Sequence, residues 1–405
     1  MNKIDELIKE YCPDGVEYRA FGSSATIVRG ASPRPIKNFI TMESTGVNWI
    51  KIGDVKPGDK YITSSAEKIT VEGAKKSRAV RKGDFILSNS MSFGRPYILQ
   101  IDGCIHDGWL AISDFSDAYL PDFLYHLLNS NNCQSEMRKK ASFGGAVQNL
   151  NADIVRALIL PVPPLEVQCE IVHVLDSFSL LTAELTAELT ARKKQYEYYR
   201  DTLLAKYIAN KSVRLDSVCE IYDGVHQTPN YTSRGVPFVS VENIDNLYGT
   251  SKFISEEAYS KYKIKPRIGD VFMTRITAGV IGKCAVVDRN DDLAYYVSLA
   301  LLRPNIDILD SKYLKYYIES GYGKKELNKR ILWNATPTKI NKDDIGEIRI
   351  CVPPLAIQRK LVNVLDNFDA ICTDLNIGLP AEIDARQKQY EYYRDKLLAF
   401  KELSQ

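Results

Sequence analysis

Two kinds of hydrophobic spacing alternate along this chain, and each occurs twice. Residues 1–162 and 207–352 carry short apolar runs broken by Gly, Asn and Ser. Ile98–Ile101, Cys284–Val287 and Ser298–Leu302 read as short β-like runs. Leu120–Asn129 and Ser311–Glu319 carry helical spacing. After each of these segments the rhythm changes. From Phe178, the seam runs through Leu181, Leu185, Leu189, Arg192, Tyr196, Tyr199 and Leu203, in steps of three and four. From Phe368 it runs through Ile371, Leu375, Leu379, Ile383, Arg386, Tyr390, Tyr393 and Leu397. That spacing predicts two long helices with a coiled-coil seam. Both begin just after Pro-Pro, which suits a helix start and not its interior. Gly378-Leu379-Pro380 predicts a kink or a restart in the second.

The rhythm is a repeat. PPLEVQCEIVHVLDSF at 163–178 returns as PPLAIQRKLVNVLDNF at 353–368, an offset of 190. ARKKQYEYYRDTLLAK at 191–206 returns as ARQKQYEYYRDKLLAF at 385–400, an offset of 194, with 13 of 16 positions identical. The four extra residues in the second copy are one added step on the same seam, a stutter in the coil. The first helix also carries the unit TAEL twice between Leu181 and Ala191. One such unit adds about 6 Å of helix.

The globular segments resemble each other only weakly. Trp49–Val55 corresponds to Phe238–Ile244, Gly83–Arg95 to Gly269–Lys283, and Gly144–Asn151 to Asn334–Asn341. The expected class is α+β. Expected boundaries are 1–162 and 209–352 for the globular domains, with helical spacers at 163–208 and 353–405. Closely repeated helices beside diverged domains fit two similar folds that read different sequences.

Charge narrows the partners. The formal net charge is only +2, which argues against a general polyelectrolyte binder but leaves room for a local basic face. Lys and Arg cluster at 68–82, 138–140, 261–267 and 324–330. No run of about 18 apolar residues occurs, so no membrane helix is expected. The N-terminal MNKIDELIKEY lacks an apolar export core, and the expected compartment is the cytoplasm. The eight Cys form no C-x-x-C pair and the four His are dispersed, so neither a metal site nor a disulfide framework is expected.

Small polar residues mixed with isolated Lys and Arg suit hydrogen bonds to phosphates and base edges. In the first domain the expected DNA contacts are Ser32, Arg34, Lys51, Lys75, Lys76 and Arg78. With them stand Asn89, Ser90, Ser92 and Arg95, then Gln148 and Asn149. In the second they are Gln227, Thr228, Asn243, Arg275, Thr277 and Lys283, followed by Lys324, Lys325, Asn334, Thr338 and Lys339. On the helices, Tyr196 and Tyr199 belong to the seam. Val174, Leu180, Tyr198, Val364 and Tyr392 lie off it and are expected to meet a partner protein.

Catalytic signatures are missing. No N/D-P-P-Y/F loop occurs, and Phe143-Gly144-Gly145 has the wrong spacing for F-x-G-x-G. Gly279–Lys283 is too short for a phosphate-binding Walker loop. Pro121-Asp122 followed by Glu136-Met137-Arg138 puts Arg where a nuclease needs Lys. A chain without its own catalytic site or cofactor is expected; a stand-alone DNA-binding regulator and an enzyme of unrecognised type are the alternatives.

The succession Gly30-Ala-Ser-Pro33, Trp49–Val55, Gly83–Ser88 and Pro163–Gln168 resembles the specificity subunit of type I restriction–modification systems. Pro237–Ile244, Gly269–Arg275 and Pro353–Gln358 repeat it in the second half, so the resemblance spans essentially the whole chain. One departure is Gly224–Pro229, which replaces the short Gly-Ala-Ser-Pro. The resemblance implies two pseudo-symmetric target recognition domains joined by two long antiparallel coiled-coil helices. Each domain would bind one half of a bipartite site in double-stranded DNA, and the helices would fix the gap. Two adenine-N6 methyltransferase subunits would join it, and restriction/translocase subunits would attach through that core.

Overall fold

The computed structural model describes residues 2–55, 58–89, 93–144, 147–208, 212–373 and 377–403. The chain divides into two compact units, residues 1–184 with 383–405 and residues 185–382. Each unit therefore holds one globular segment, the start of the helix that follows it and the end of the other helical segment.

In the first unit one sheet runs, in spatial order, Thr26–Arg29, Trp109–Ser113, Phe85–Ser88, Pro96–Leu99 and Tyr61–Ile62. A second sheet runs Ile40–Thr41, Glu67–Ile69, Val47–Ile50, Gly103–Ile105 and Arg78–Val80. Phe85–Ser88 is buried along its whole length. Phe85 and Leu87 pack with Phe123, Leu124 and Ile171 on the helical side. Ile86 packs with Ile50, Ile105, Trp109 and Tyr97 on the other. A strand turns alternate residues to opposite faces. The apolar run Phe85–Leu87 is what coverage on both faces demands.

The second unit repeats the plan with fewer strands. Cys219–Asp223, Leu299–Pro304, Val271–Thr274 and Cys284–Val286 form one sheet. Phe253–Ile254, Val236–Val239 and Ala294–Tyr295 form another. Val271 and Met273 face Leu314 and Leu365, while Phe272 faces Val239 and Tyr295.

Both units carry a matched helix pair: Pro121–Asn129 with Asn131–Lys140, and Ser311–Glu319 with Gly321–Asn328. The second helix of each pair is capped by a serine, Ser130 Oγ accepting from Cys133 N and Ser320 Oγ from Gly323 N. The helices Pro121–Asn129 and Ser311–Glu319 and the strands at 96–99, 284–286 and 299–304 fall within two residues of the spans that spacing predicts.

Leu165–Ile208 is one helix of 44 residues. The second helical segment is two helices, Leu355–Thr373 and Leu379–Leu397. The restart expected at Gly378–Pro380 is therefore found, with Pro380 in a first turn where its missing N–H costs nothing. On the seam, Phe178 stacks on Tyr393 in the first unit with ring centroids 5.4 Å apart. In the second unit Tyr199 stacks on Phe368 at 5.7 Å. Arg192 departs from the expected seam. Arg192 points outward and pairs with Glu188, as a long charged chain on a solvated face does. Leu375 lies outside the described residues.

The repeated motifs hold each helix to its domain. Gln168 is fully buried; its side-chain oxygen accepts from Leu120 N, and its amide donates to Ala118 O and Pro163 O, each at 2.8 Å. Gln358 does the same with Asp310 N, Ile308 O and Pro353 O. Arg200 and Arg394 are also buried, each beside the next aspartate and over the ring of Tyr196 or Tyr390.

Candidate nucleic-acid interface

In the first unit Asp107 gathers three of the expected contacts. Ser32 Oγ donates to its carboxylate at 2.8 Å, and the exposed Arg34 guanidinium stands 3.5 Å from the other oxygen. Asn89 Nδ2 donates to the Asp107 carbonyl at 2.8 Å. The Ser32 hydrogen bond is the main reason the Asp107 carboxyl is held below its usual range. Asp107 itself belongs to no sequence motif.

Asn89 corrects an expectation. It is 3% exposed, its backbone N–H donates to Gly108 O, and its carbonyl accepts from Leu150 N. With its polar atoms occupied inside the domain, it shapes the loop rather than facing solvent.

The basic residues around 75 lie at the surface. Lys75 and Lys76 end the helix Val71–Lys75, and Arg78 opens the strand Arg78–Val80; all three are exposed. Lys76 covers the Phe39 ring at 4.8 Å, and Arg78 Nε donates to Arg29 O at 3.3 Å. Lys51 is half-buried and paired with Glu67. Arg95 is exposed, and its backbone N–H donates to Ser88 Oγ at 3.2 Å. Gln148 and Asn149 lie on the strand Val147–Asn149, paired in register with Phe143 and Ser142. Ser90 and Ser92 lie outside the described residues.

In the second unit Gln227 and Thr228 are exposed, and Thr228 borders a shallow cleft with Tyr231, Ser240, Lys252 and Tyr296. Two residues again turn out to be architectural. Asn243 Oδ1 accepts from Ser240 N at 3.1 Å and closes a capping box. Arg275 is 6% exposed, ion-paired with Asp223, and donates to Ile340 O at 3.2 Å. A charge so enclosed is held by its partners and is not available to a phosphate.

Arg275 is instead the footing of two joined loops. Ile340 N–H donates to Arg275 O at 2.9 Å, and Thr277 N–H donates to Thr338 O at 3.0 Å. Leu332 N–H donates to Lys339 O at 2.8 Å. These bonds bring Thr277, Thr338 and Lys339 together. Asn334 is exposed nearby in the same loop, beside an exposed Trp333 that no motif marked. Lys324 and Lys325 are exposed on the helix Gly321–Asn328, and Lys283 pairs with Asp245 at 2.5 Å.

Of the residues expected to meet a partner protein, Leu180, Tyr198, Val364 and Tyr392 are exposed. Val174 is not: it packs against the first unit's core. It stands three residues after the buried Ile171, on the same helix face. Among the described residues no group of three or more His, Cys, Asp or Glu could hold a metal ion. No helix there is long and apolar enough to cross a membrane.

Comparison with known proteins agrees with this doubled plan. The family model for the type I restriction modification DNA specificity domain matches twice, over residues 13–192 and 208–385. The chain therefore belongs to that family. A Haemophilus influenzae protein named as the type I restriction enzyme specificity subunit S.HindORF215P is 30% identical over 292 residues, 69% of this chain and 72% of the relative. The EcoR124I/EcoR124II specificity subunit of Escherichia coli is 34% identical over 256 residues, 59% of this chain and 61% of that subunit. That second match spans less than two thirds of the relative's length. A chain from a solved structure on complex assembly and conformational transition of the type I R-M system shares the fold. Its TM-score is 0.66 at 23% identity, covering 95% of this chain and 98% of that one.

Proposed function

We propose that this chain selects the DNA sequence on which a type I restriction–modification assembly acts, and that it does so without catalysis of its own. The observation that carries this reading is the doubled family match over residues 13–192 and 208–385. The doubled set of anchors, Gln168 with Gln358 and Asp201 with Asp395, accords with it. Residues 1–162 and 209–352 are the two recognition domains, each reading one half of a bipartite site in double-stranded DNA. The basic loops carrying Lys75, Lys76 and Arg78, and Lys324 and Lys325, bind backbone phosphates. The spacers 163–208 and 353–405 set the gap. Their exposed Leu180, Tyr198, Val364 and Tyr392 dock two methyltransferase subunits, through which restriction/translocase subunits join.

The test is to co-express the chain with its methyltransferase in a methylation-free host and sequence the methylome. The expected result is N6-methyladenine in one bipartite motif with a fixed gap. The chain alone should leave DNA unmethylated in the presence of S-adenosylmethionine. Methylation by the chain alone, or a continuous undivided motif, would overturn the reading.

A further inference from the structure

The chain has three tryptophans, and Trp49 and Trp109 are buried in the first unit. Trp333 is 62% exposed. An indole is a large, mostly apolar surface with one N–H, and with exposed Leu332 and Val280 beside it the patch is a candidate contact surface.

The loop that presents it is fixed at its base. Leu332 N–H donates to Lys339 O, Ala335 N–H to Leu332 O at 3.2 Å, and Ile340 N–H to Arg275 O. The buried Arg275, paired with the half-buried Asp223, secures the adjoining strand end. The neighbouring loop, tied on through Thr277 and Thr338, exposes Val280, and Leu332 is also exposed. The indole is thus presented by preformed backbone rather than trailing from a free end.

Charge identifies what would cover it. Residues 321–340 hold Lys324, Lys325, Lys329, Arg330 and Lys339 against a single acid, Glu326. Glu326 pairs with Lys329 and Arg330. Among the described residues no carboxylate pairs with Lys324, Lys325 or Lys339. The indole nitrogen reaches Asn328 O, at the end of the helix that bears Lys324 and Lys325, at 3.5 Å. An apolar aromatic tip set in unneutralised cations suits a polyanion that also offers apolar and π surface, which is a nucleic acid. A protein partner would need matching acidic groups around an apolar socket.

We infer that Trp333 is a base-contacting residue of the second recognition domain, entering a groove of the duplex and packing on a base while the surrounding lysines hold phosphates. This rests on the DNA-specificity reading above and adds a contact that reads sequence through an apolar surface. The aromatic Phe143 occupies the corresponding position of the first domain's sequence, one residue before Gly144 as Trp333 stands before Asn334.

The experiment uses the assembled complex with methyltransferase subunits and a duplex carrying its methylated motif. Trp333→Ala should weaken cognate binding about tenfold or more, the scale of one lost base position in a duplex site. Binding to unrelated duplex and the salt slope should stay unchanged. The methylome should relax in the half-site of the second domain only, and Trp333→Phe should recover most of the affinity. Cognate affinity for Trp333→Ala within twofold of the parent, with an unchanged motif, would overturn the inference. So would a folded Trp333→Ala chain that no longer assembles with methyltransferase, since the indole would then face protein. If the parent complex recognises no bipartite site, the failure belongs to the functional reading instead.

Discussion

The carboxylate of Asp395 accepts hydrogen bonds from both the backbone N–H and the side-chain amide of Asn131, at 3.0 and 2.6 Å, across 264 positions of sequence. Asp201 does the same for the backbone N–H of Gly321, with both oxygens at 3.1 Å. Each aspartate ends the repeated Gln-Tyr-Glu-Tyr-Tyr-Arg-Asp stretch. Each meets the first residue of a short helix, where free N–H groups and the helix dipole favour an anion.

Removing either carboxylate should loosen its own unit. Asp395→Ala should destabilise the first unit by about 1.5–3 kcal/mol, the scale of a hydrogen bond to a charged group. Hydrogen exchange should quicken in residues 131–140 for Asp395→Ala and in 321–328 for Asp201→Ala. Unchanged exchange in both would mean that the aspartates only decorate the surface.

Gln168→Ala and Gln358→Ala should be costlier. Each removes three hydrogen bonds from a site sealed from water and leaves a backbone N–H and two carbonyls unpaired. We expect a loss of about 3 kcal/mol or more. Urea unfolding monitored separately for each unit measures it, and a loss below about 0.5 kcal/mol contradicts the assigned role.

Stability should fall in mild acid through His126. The ring is buried, with Tyr390 Oη and Asp176 Oδ1 each 2.9 Å from its nitrogens, and burial holds its pKa below the ordinary histidine value. Folded protein therefore binds fewer protons here than unfolded protein does. The stabilisation is complete above the unfolded pKa of about 6.5 and is lost as pH falls below it. Asp176, whose pKa is lowered mainly by the His126 hydrogen bond, adds a further loss in stronger acid. Unfolding free energy measured between neutral and mildly acidic pH should show this slope, and His126→Gln should flatten it.

Lys75→Ala and Lys324→Ala should each weaken binding of the assembled complex to all duplexes alike. Each should flatten the dependence of log affinity on log salt by about one unit. If neither slope changes, the two patches are solvated surface only.

Inserting one further Thr-Ala-Glu-Leu after Leu189 should lengthen the helix by about 6 Å and keep its seam. The unspecified gap of the methylated motif should grow by roughly one to two base pairs, with both half-sites intact. A two-residue insertion should rotate the seam by about 200° and abolish assembly. An unchanged gap after the four-residue insertion would show that the helices do not set it.

Much of the fold was legible because it is written in local spacing. The restart at Gly378–Pro380 follows from a ring that excludes an N–H, and the helices at 121–129 and 311–319 follow from apolar positions three and four apart. The candidate interface was less legible. Asn89, Arg275 and Asn243 look like DNA-facing loop residues in sequence, yet each is taken up by groups inside its own domain. Trp333 belongs to no sequence motif, and only its surroundings leave it in water.

By itself, then, the sequence determined the duplication, the helical seam, the α+β class and the family to which the motifs belong. Those features are periodic or local, and each is stated within a few tens of residues. The tertiary structure alone decided that residues 383–405 complete the unit begun by residues 1–184. It alone made Arg200 and Arg394 buried anchors while Arg192, on the same helix as Arg200, stays outside. The physical reason is that burial is settled by partners far away in sequence, such as Asn131 for Asp395, and no spacing along one helix records which domain will close over it.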